Sequence, residues 1–304
     1  MDRWEPDPAW HRVRGGGGNP ATVGLWAAES EGRRWIVKRL QAPEEAELLD
    51  ADHAGYWRRE AEVALRPDLF AGPGLRQPEV LRVDEDTSGV TIWSADVAGE
   101  PPTALFAARA LGVLAARPVP DVPWASRAQL AGRLAMAERT GGWPTLRRTS
   151  LAQVTETLWD RRTHWLERVS LGPQGQVHGD ATPGNLLATR GDDVVAVDWQ
   201  SWGSGPVGAD LGYFSLSCRE DFAVLLEAFI AGVHQAEPRV DAEDVRTAAR
   251  VAAVYTVVSR AEWALSMAAR AEGALGHVSR HPSVAPHLRA LQRQLPQIEP
   301  LLHP

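Results

Sequence analysis

The segment VHGDATPGNLLATRGDDVVAVDWQ, residues 177–200, decides the fold of this 304-residue chain. Within it Asp180 and Asn185 are five residues apart, and Asp198 follows thirteen residues after Asn185. The Pro-Gly pair between the first two cannot continue a helix, so HGDATPGN is predicted to form a loop. The run VVAV is apolar on both faces, which predicts a buried strand that ends at Asp198. A carboxylate in that position costs free energy unless it is paired or binds a cation.

These side chains match the requirements of phosphoryl transfer from a nucleotide. The reaction needs a carboxylate at the attacking hydroxyl, hard oxygen ligands for Mg²⁺ and a cation on the phosphates. Asp180 suits the base, and Asn185 and Asp198 suit the metal. Lys38, on a predicted strand, suits the phosphates; it is the only lysine beside 31 arginines, and its compact ammonium differs from a guanidinium fork. A surface turn followed by an ordinary hairpin is the simpler alternative for the segment.

Upstream of this segment, residues 1–97 are predicted to form a small, mainly β lobe. Runs rich in β-branched and aromatic residues, separated by Gly-containing turns, indicate two pairs of strands. The predicted strands are residues 21–30, 33–40, 78–86 and 89–97. Between the pairs, Pro43 at a potential first turn and the carboxylate-rich sequence after it predict a helix over residues 43–66.

After AGEPP (98–102) the sequence becomes rich in Ala, Leu and Arg and predicts a helical lobe. The predicted helices are residues 103–116, 126–139, 150–170, 220–235, 241–273 and 284–294. Residues 186–198 are an island of β-like sequence within this region and predict an embedded hairpin. This order predicts an α+β fold with two lobes, residues 1–97 and 98–304, joined by a connector at about residues 94–100.

Composition excludes several other classes of protein. The net charge is −7 and no basic stripe is present, so no nucleic-acid partner is expected. The sequence contains no run of about 20 uncharged apolar residues, so no membrane span is expected. The charged first residues do not resemble a secretory signal. Cys218 is the only cysteine, which fits a reducing compartment. We expect a cytoplasmic protein that is a monomer or a homodimer.

The same motifs resemble those of a known family. VHGDATPGN followed by VVAVDWQ is similar to the aminoglycoside phosphotransferase and choline kinase superfamily, which shares the protein-kinase-like fold. That superfamily typically has Gly after the His, as Gly179 is here. DWQ and GSGPVGADLGYF (203–214) are most similar to its ecdysteroid-kinase-like and general small-molecule phosphotransferase branches. The resemblance extends from about Gly15 to Phe214.

The resemblance implies a role for each matching residue of the central machinery. Asp180 would be the catalytic base, and Asn185 and Asp198 the Mg²⁺ ligands. Lys38 would hold the α- and β-phosphates of ATP, with GTP as the alternative nucleotide. Glu60, in YWRREAEV, would orient Lys38, and Glu62 is the alternative because it lies two residues further along the same predicted helix.

Further roles follow from the same resemblance. WSADV (93–97) matches the connector, where backbone groups near Ala95 and Val97 would bind adenine. Asp210 would brace the catalytic loop. His178 is interpreted as structural, with its ring hydrogen-bonded to the loop backbone. The run GGGGNPATVGLW departs from the G-x-G-x-x-G of protein kinases, so Gly17 and Gly18 are either phosphate contacts or part of a flexible linker.

The charge of the second lobe bears on the acceptor. Residues 100–304 carry 20 basic and 21 acidic groups, whereas a polycationic acceptor calls for a cleft rich in carboxylates. We therefore expect a small hydroxyl compound, a metabolite or an antibiotic, that is not strongly cationic. Two alternatives remain for the function: a nucleotide-binding pseudokinase or regulatory module, and a metal-dependent phosphohydrolase that uses His178, Asp180 and Asp198.

Overall fold

The N-terminal strands are rich in β-branched and aromatic residues and assemble into one antiparallel sheet. The computed structural model describes residues 4–13, 21–30, 32–139, 152–272 and 285–302. The sheet has five strands in the order β1-β2-β3-β6-β5. These are β1 (His11–Val13), β2 (Thr22–Ser30), β3 (Arg33–Gln41), β5 (Val80–Asp86) and β6 (Gly89–Ala95). Strand β3 is central, with Lys38 opposite Leu25 on β2 and Ile92 on β6. The four strands expected from the sequence are present, and β1 is additional.

The helix expected over residues 43–66 is wrong in extent. Only α1 (Arg59–Ala64) is α-helical, preceded by a short 3₁₀ turn at Ala46–Leu49. Side chains in between bind the nearby backbone: Asp50 accepts from the Asp52 N–H at 3.0 Å. Such local hydrogen bonds compete with the helical ladder, and they leave α1 as an independent short element.

The remainder of the described chain is mainly helical. The long helices are α2 (Ala104–Ala115), α3 (Gln129–Arg139), α4 (Ala152–Asp160), α5 (Arg162–Ser170), α7 (Phe222–Ala236), α8 (Ala242–Glu272) and α9 (Ala285–Arg293). The single helix expected over 150–170 is divided at Arg161. Two short helices were not expected, α6 (Ala209–Ser215) and α10 (Leu295–Leu302). No helix in the described ranges is both long and apolar enough to cross a membrane.

Small sheets hold the segment that decides the fold. The expected hairpin consists of β8 (Leu186–Arg190) and β9 (Asp193–Ala196), and β9 also pairs in parallel with β4 (Leu75–Arg76). All four residues of β9 are buried. Two further unexpected strands, β7 (Gln174–Val177) and β10 (Gly203–Pro206), pair with each other on either side of the segment. The loop after β7 and the turn after β9 are therefore anchored at both ends.

The distribution of elements confirms the α+β organisation in two lobes. The strands of the large sheet lie between His11 and Ala95, and the helical part follows. One core cluster joins α2, α7 and the buried Trp199 and Trp202, while a second lies around α8. Strand β3 and the hairpin carry the polar groups that meet between the lobes.

Candidate active site

Lys38 lies at the centre of the contacts between the two lobes. Its Nζ donates to Glu60 Oε2 at 2.5 Å and to Asp198 Oδ1 at 2.7 Å. The side chain is about one-tenth exposed. Burial opposes its charge, but the carboxylates of Glu60 and Asp198 outweigh burial, so the pKa of Lys38 is raised. Lys38 therefore stays protonated at neutral pH.

The structure distinguishes the two glutamates of α1. Burial raises the pKa of Glu60, and the ammonium of Lys38 opposes that rise. Glu62 instead accepts from Arg58 Nε at 2.8 Å. A helix places residues two positions apart on different faces, so Glu60 contacts Lys38 while Glu62 lies beside Arg58.

Asp198 occupies an unusual backbone conformation. Its φ of 67° and ψ of 53° are left-handed, a region that is uncommon outside glycine but enriched in Asp. The chain turns sharply here from β9 into a 3₁₀ turn at Trp199–Ser201. Trp199 is buried against Phe70 and His178, with ring centroids 4.4 and 4.5 Å apart. This packing holds the turn that directs Asp198 to Lys38.

His178 is a brace between the loop and the Asp198 turn. Its Nδ1 accepts from the Asp180 N–H at 3.2 Å, and its Nε2 lies 2.9 Å from the carbonyl oxygen of Val197. A nitrogen that accepts a hydrogen bond carries no proton, so the neutral tautomer with the proton on Nε2 satisfies both contacts. The ring is fully buried and is engaged at both nitrogens.

Asp210, in the first turn of α6, holds the backbone on the other side of the loop. Its two carboxylate oxygens accept from the N–H groups of His178 at 2.6 Å and Gly179 at 2.9 Å. Burial raises the pKa of Asp210, and these backbone donors and the charge of Arg133 oppose that rise. Gly179 has φ +80°, and a Cβ there would collide with the carbonyl of Ser201. The loop therefore requires glycine at this position.

Asp180 projects from this braced loop with a defined orientation. Its Oδ1 accepts from the Tyr213 hydroxyl at 2.5 Å. Asn185 Nδ2 donates to the Asp180 carbonyl oxygen at 2.9 Å and to Oδ2 at 3.3 Å. Tyr213 and Asn185 thus fix the carboxylate of Asp180. Oδ2 has only the 3.3 Å contact with Asn185, which is longer than the contact of Oδ1 with Tyr213.

Asn185 and Asp198 form a donor set that fits Mg²⁺. Both line one cleft, and the Val197 N–H donates to the Asn185 carbonyl oxygen at 2.9 Å. Within the described ranges, Asn185 Oδ1 and Asp198 Oδ2 have no hydrogen-bond partner. The same part of the chain contains no group of three or more His, Cys, Asp or Glu suited to a metal. A carboxylate and one other hard oxygen suit an ion that takes phosphates and waters as its remaining ligands.

 The cleft between the lobes has an apolar end and a charged end. Its volume is about 360 Å³. Lys38 and Glu60 lie at the charged end of the cleft, together with Asn185 and Asp198. Its apolar wall is formed by Val13, Leu25, Ile36, Ile92 and Leu187. Ala95 and Val97 also line it; the Ala95 N–H already donates to the Glu79 carbonyl oxygen at 2.8 Å, so a ligand could use only the carbonyl of Ala95.

The structure therefore brings most of the residues singled out in the sequence to one place. Asp180 adjoins the cleft through Asn185, while His178 and Asp210 lie behind the loop and hold it. The following residues line the cleft itself: Lys38, Glu60, Ala95, Val97, Asn185 and Asp198. Gly17 and Gly18 lie outside the described residues.

Two further groups at the site were missed in the sequence. Tyr213 follows Asp210 by three residues, and this helical spacing was the available signal that both face the loop. Arg59, next to Glu60, is fully buried, and its guanidinium donates four hydrogen bonds to backbone carbonyls. Burial lowers the pKa of Arg59 to about 10. The acceptors are the carbonyls of His53, Ala54, Trp124 and Gln200.

These contacts of Arg59 connect α1 to the helical lobe. Trp124 and Gln200 belong to that lobe, and Gln200 follows Asp198 by two residues. The helix that presents Glu60 is thereby tied to the turn that presents Asp198. No local sequence pattern predicts such long-range contacts.

Comparisons with known proteins bear on both the family and the fold. The model of the phosphotransferase enzyme family matches residues 12–243. No match was found among curated proteins. Among solved structures, an amicoumacin kinase in complex with AMP-PNP, Ca²⁺ and Ami is 13% identical with a TM-score of 0.61; the match covers 97% of this chain and 89% of that chain.

Other solved structures have the same fold. A choline kinase from Cryptosporidium parvum Iowa II is 13% identical with a TM-score of 0.60, covering 97% of this chain and 91% of that chain. A thermostable mutant of an aminoglycoside phosphotransferase is 13% identical with a TM-score of 0.56. The match covers 97% of this chain and 95% of that chain. The predicted two-lobed, protein-kinase-like fold is confirmed.

Proposed function

This chain belongs to the phosphotransferase enzyme family, and we propose that it transfers the γ-phosphoryl group of ATP or GTP, with Mg²⁺, to a hydroxyl of a small molecule. The observation that carries the proposal is the position of Lys38 Nζ, 2.5 Å from Glu60 and 2.7 Å from Asp198. Three distant segments converge there on one cleft, beside the loop that carries Asp180. We place the nucleotide-binding lobe at residues 1–97 and the acceptor-binding lobe at 98–304.

Each group in the cleft suits one part of the reaction. Lys38, oriented by Glu60, would neutralise charge on the α- and β-phosphates. The carbonyl of Ala95 and the backbone of Val97 would bind the base at the apolar end. Asn185 and Asp198 would hold Mg²⁺, which supplies positive charge against the phosphate oxygens.

Asp180 would act on the acceptor. Its Oδ2 would accept the proton of the acceptor hydroxyl as the hydroxyl oxygen bonds to the γ-phosphorus and the bond from that phosphorus to the bridging oxygen of the nucleotide breaks. The products would be the phosphorylated acceptor and ADP or GDP. Asp210 and His178 would keep Asp180 in position through the loop backbone and would not transfer protons.

The experiment is a screen of hydroxylated metabolites and antibiotics for acceptor-dependent formation of ADP or GDP. Asp180→Asn is expected to lower kcat by about 10²–10⁴-fold, because the variant cannot accept the proton. Stabilisation by Mg·ATP in a thermal-shift assay should persist. The matched control is Asp192→Asn, an exposed aspartate in the turn between β8 and β9, which should retain full rate.

The products separate the alternatives. Phosphate appearing on the acceptor supports a kinase, whereas release of inorganic phosphate alone supports a phosphohydrolase. Nucleotide binding without turnover of any acceptor supports a pseudokinase or regulatory module. Full activity of Asp180→Asn, or a wild-type protein that Mg·ATP and Mg·GTP do not stabilise, would contradict the proposal.

A further inference from the structure

The ring of Tyr213 lies between the catalytic-loop carboxylate and two arginines. Its hydroxyl donates to Asp180 Oδ1 at 2.5 Å. The guanidinium carbon of Arg133, on α3, lies 4.7 Å from the ring centroid, and that of Arg260, on α8, lies 4.4 Å from it. The two guanidinium groups are therefore within about 9 Å of each other and close to Asp180.

Within the described ranges, the two guanidinium groups are held by a backbone carbonyl and by the Tyr213 ring. Arg133 donates to the Gly179 carbonyl oxygen at 2.8 Å, and Arg260 lies over the Tyr213 ring. Neither forms an ion pair in that part of the chain. Burial lowers the pKa of Arg133 and the charge of Arg260 adds to this effect, whereas Tyr213 and the carboxylates of Asp180 and Asp210 oppose it.

We propose that Arg133, Arg260 and Tyr213 form an anion subsite for the acceptor, so that the acceptor carries a carboxylate or phosphate group near its reacting hydroxyl. The inference rests on the proposed function, because it places the acceptor beside Asp180. Guanidinium forks bind both anions through paired N–H donors. An anion bound by these guanidinium groups would give them the ion pair that neither forms within the described residues.

The same charges disfavour a polycationic acceptor. A cationic group next to two half-buried guanidinium groups is repelled, and water screens that repulsion less there than at the surface. One structural relative is named an aminoglycoside phosphotransferase, but in this chain Arg133 and Arg260 place positive charge near Asp180. The near-neutral composition of residues 100–304 conceals this local positive charge.

The test uses four probes with one three-carbon skeleton: glycerol, glycerate, glycerol 3-phosphate and 3-amino-1,2-propanediol. Their dissociation constants are measured by ligand-observed NMR with saturating Mg·AMP-PNP, so that the nucleotide cleft is occupied. Glycerate and glycerol 3-phosphate should bind at least about tenfold more tightly than glycerol, and the amine most weakly. Comparing the two anions shows whether a carboxylate or a phosphate is preferred.

Arg260→Gln should weaken both anions by about tenfold or more and leave glycerol unchanged. The matched control is Arg246→Gln, which removes the same charge from α8 fourteen residues away, about 21 Å along the helix. The control should bind all four probes as the wild type does. Equal anion affinity in Arg260→Gln and the wild type would overturn the proposal.

Two further readouts keep the outcomes separate. If Arg260→Gln does not fold, the order of the four probe affinities in the wild type tests the subsite. Binding of the amine as tightly as glycerate overturns it. Mg·AMP-PNP binding is measured in the same samples. Its absence from the wild type counts against the proposed function, whereas nucleotide binding without anion preference counts against the subsite alone.

Discussion

The two sides of the Asp180 loop satisfy their charges in different ways. On the nucleotide side, one ammonium is held by two carboxylates, and all three groups are largely buried. On the acceptor side, two guanidinium groups share one neutral phenol ring. In the first arrangement each charged group has an ion-pair partner within the protein, whereas the guanidinium groups of the second form no ion pair in the described residues.

This difference indicates what each side recognises. The paired groups would exchange partners on nucleotide binding, with Asp198 turning to a metal and Lys38 to a phosphate. The guanidinium groups would gain their ion pair from the ligand. Substitutions on the nucleotide side should therefore act through nucleotide binding and phosphate charge, and those on the acceptor side through Asp180 and the acceptor.

The largest expected effect is that of Lys38→Met on the nucleotide side. Removing the cation on the phosphates should lower kcat/KM for the nucleotide by about 10²–10³-fold. The control is Arg34→Met on the same strand, whose exposed ion pair with Asp96 contributes little. Steady-state kinetics with varied nucleotide check the result. A loss of less than about threefold would remove Lys38 from the phosphate role and break the contrast between the two sides.

Tyr213→Phe tests the acceptor side. Loss of the hydroxyl that orients Asp180 should lower kcat by about 10–100-fold, the range for a hydrogen bond to a charged group. The nucleotide KM should stay unchanged, because Tyr213 lies outside the nucleotide cleft. Tyr56→Phe, a half-buried tyrosine of the other lobe, is the control. A rise in the nucleotide KM as large as the fall in kcat would show that the two sides are not independent.

Glu60→Gln and Glu62→Gln sharpen the nucleotide side. Losing the Glu60 carboxylate frees Lys38 from one partner and should raise the nucleotide KM by about tenfold. Glu62→Gln changes a residue that pairs with Arg58 at 2.8 Å and should leave the KM within about twofold. Kinetics on both variants, with folding checked by circular dichroism, decide the assignment. The reverse order of effects would restore Glu62 as the partner of Lys38.

The smallest expected effect concerns pH. Because the folded protein raises the pKa of Lys38 above its usual 10.5, the stabilisation linked to its charge is complete below 10.5 and is lost only as pH rises through the higher folded value. The difference in unfolding free energy between the wild type and Lys38→Met should be constant from about pH 7 to 9. Denaturant titrations measure it. A decrease in the difference within that window would mean that burial, not the carboxylates, controls the pKa.

Much of the site could be predicted because its residues lie in one short segment. The spacing of Asp180, Asn185 and Asp198 depends on a Pro-Gly loop and a valine-rich strand, and both are local features. The helix expected over 43–66 failed because side chains such as Asp50 bind nearby backbone groups, and helical composition does not report that competition. The arginines beside Tyr213 could not be predicted, because α3 and α8 are more than a hundred residues apart in sequence.

The sequence by itself indicated the chemistry that we propose: a carboxylate on a loop, a hard-oxygen pair for a metal and a single lysine on a strand. Only the tertiary structure decided which partners these groups have. It selected Glu60 over Glu62, placed the Tyr213 hydroxyl on Asp180 and brought two arginines to that ring. The physical reason is that residue types and short spacings encode local conformation, whereas contacts across the lobes depend on the packing of α1, α6 and α8 and on buried links such as Arg59.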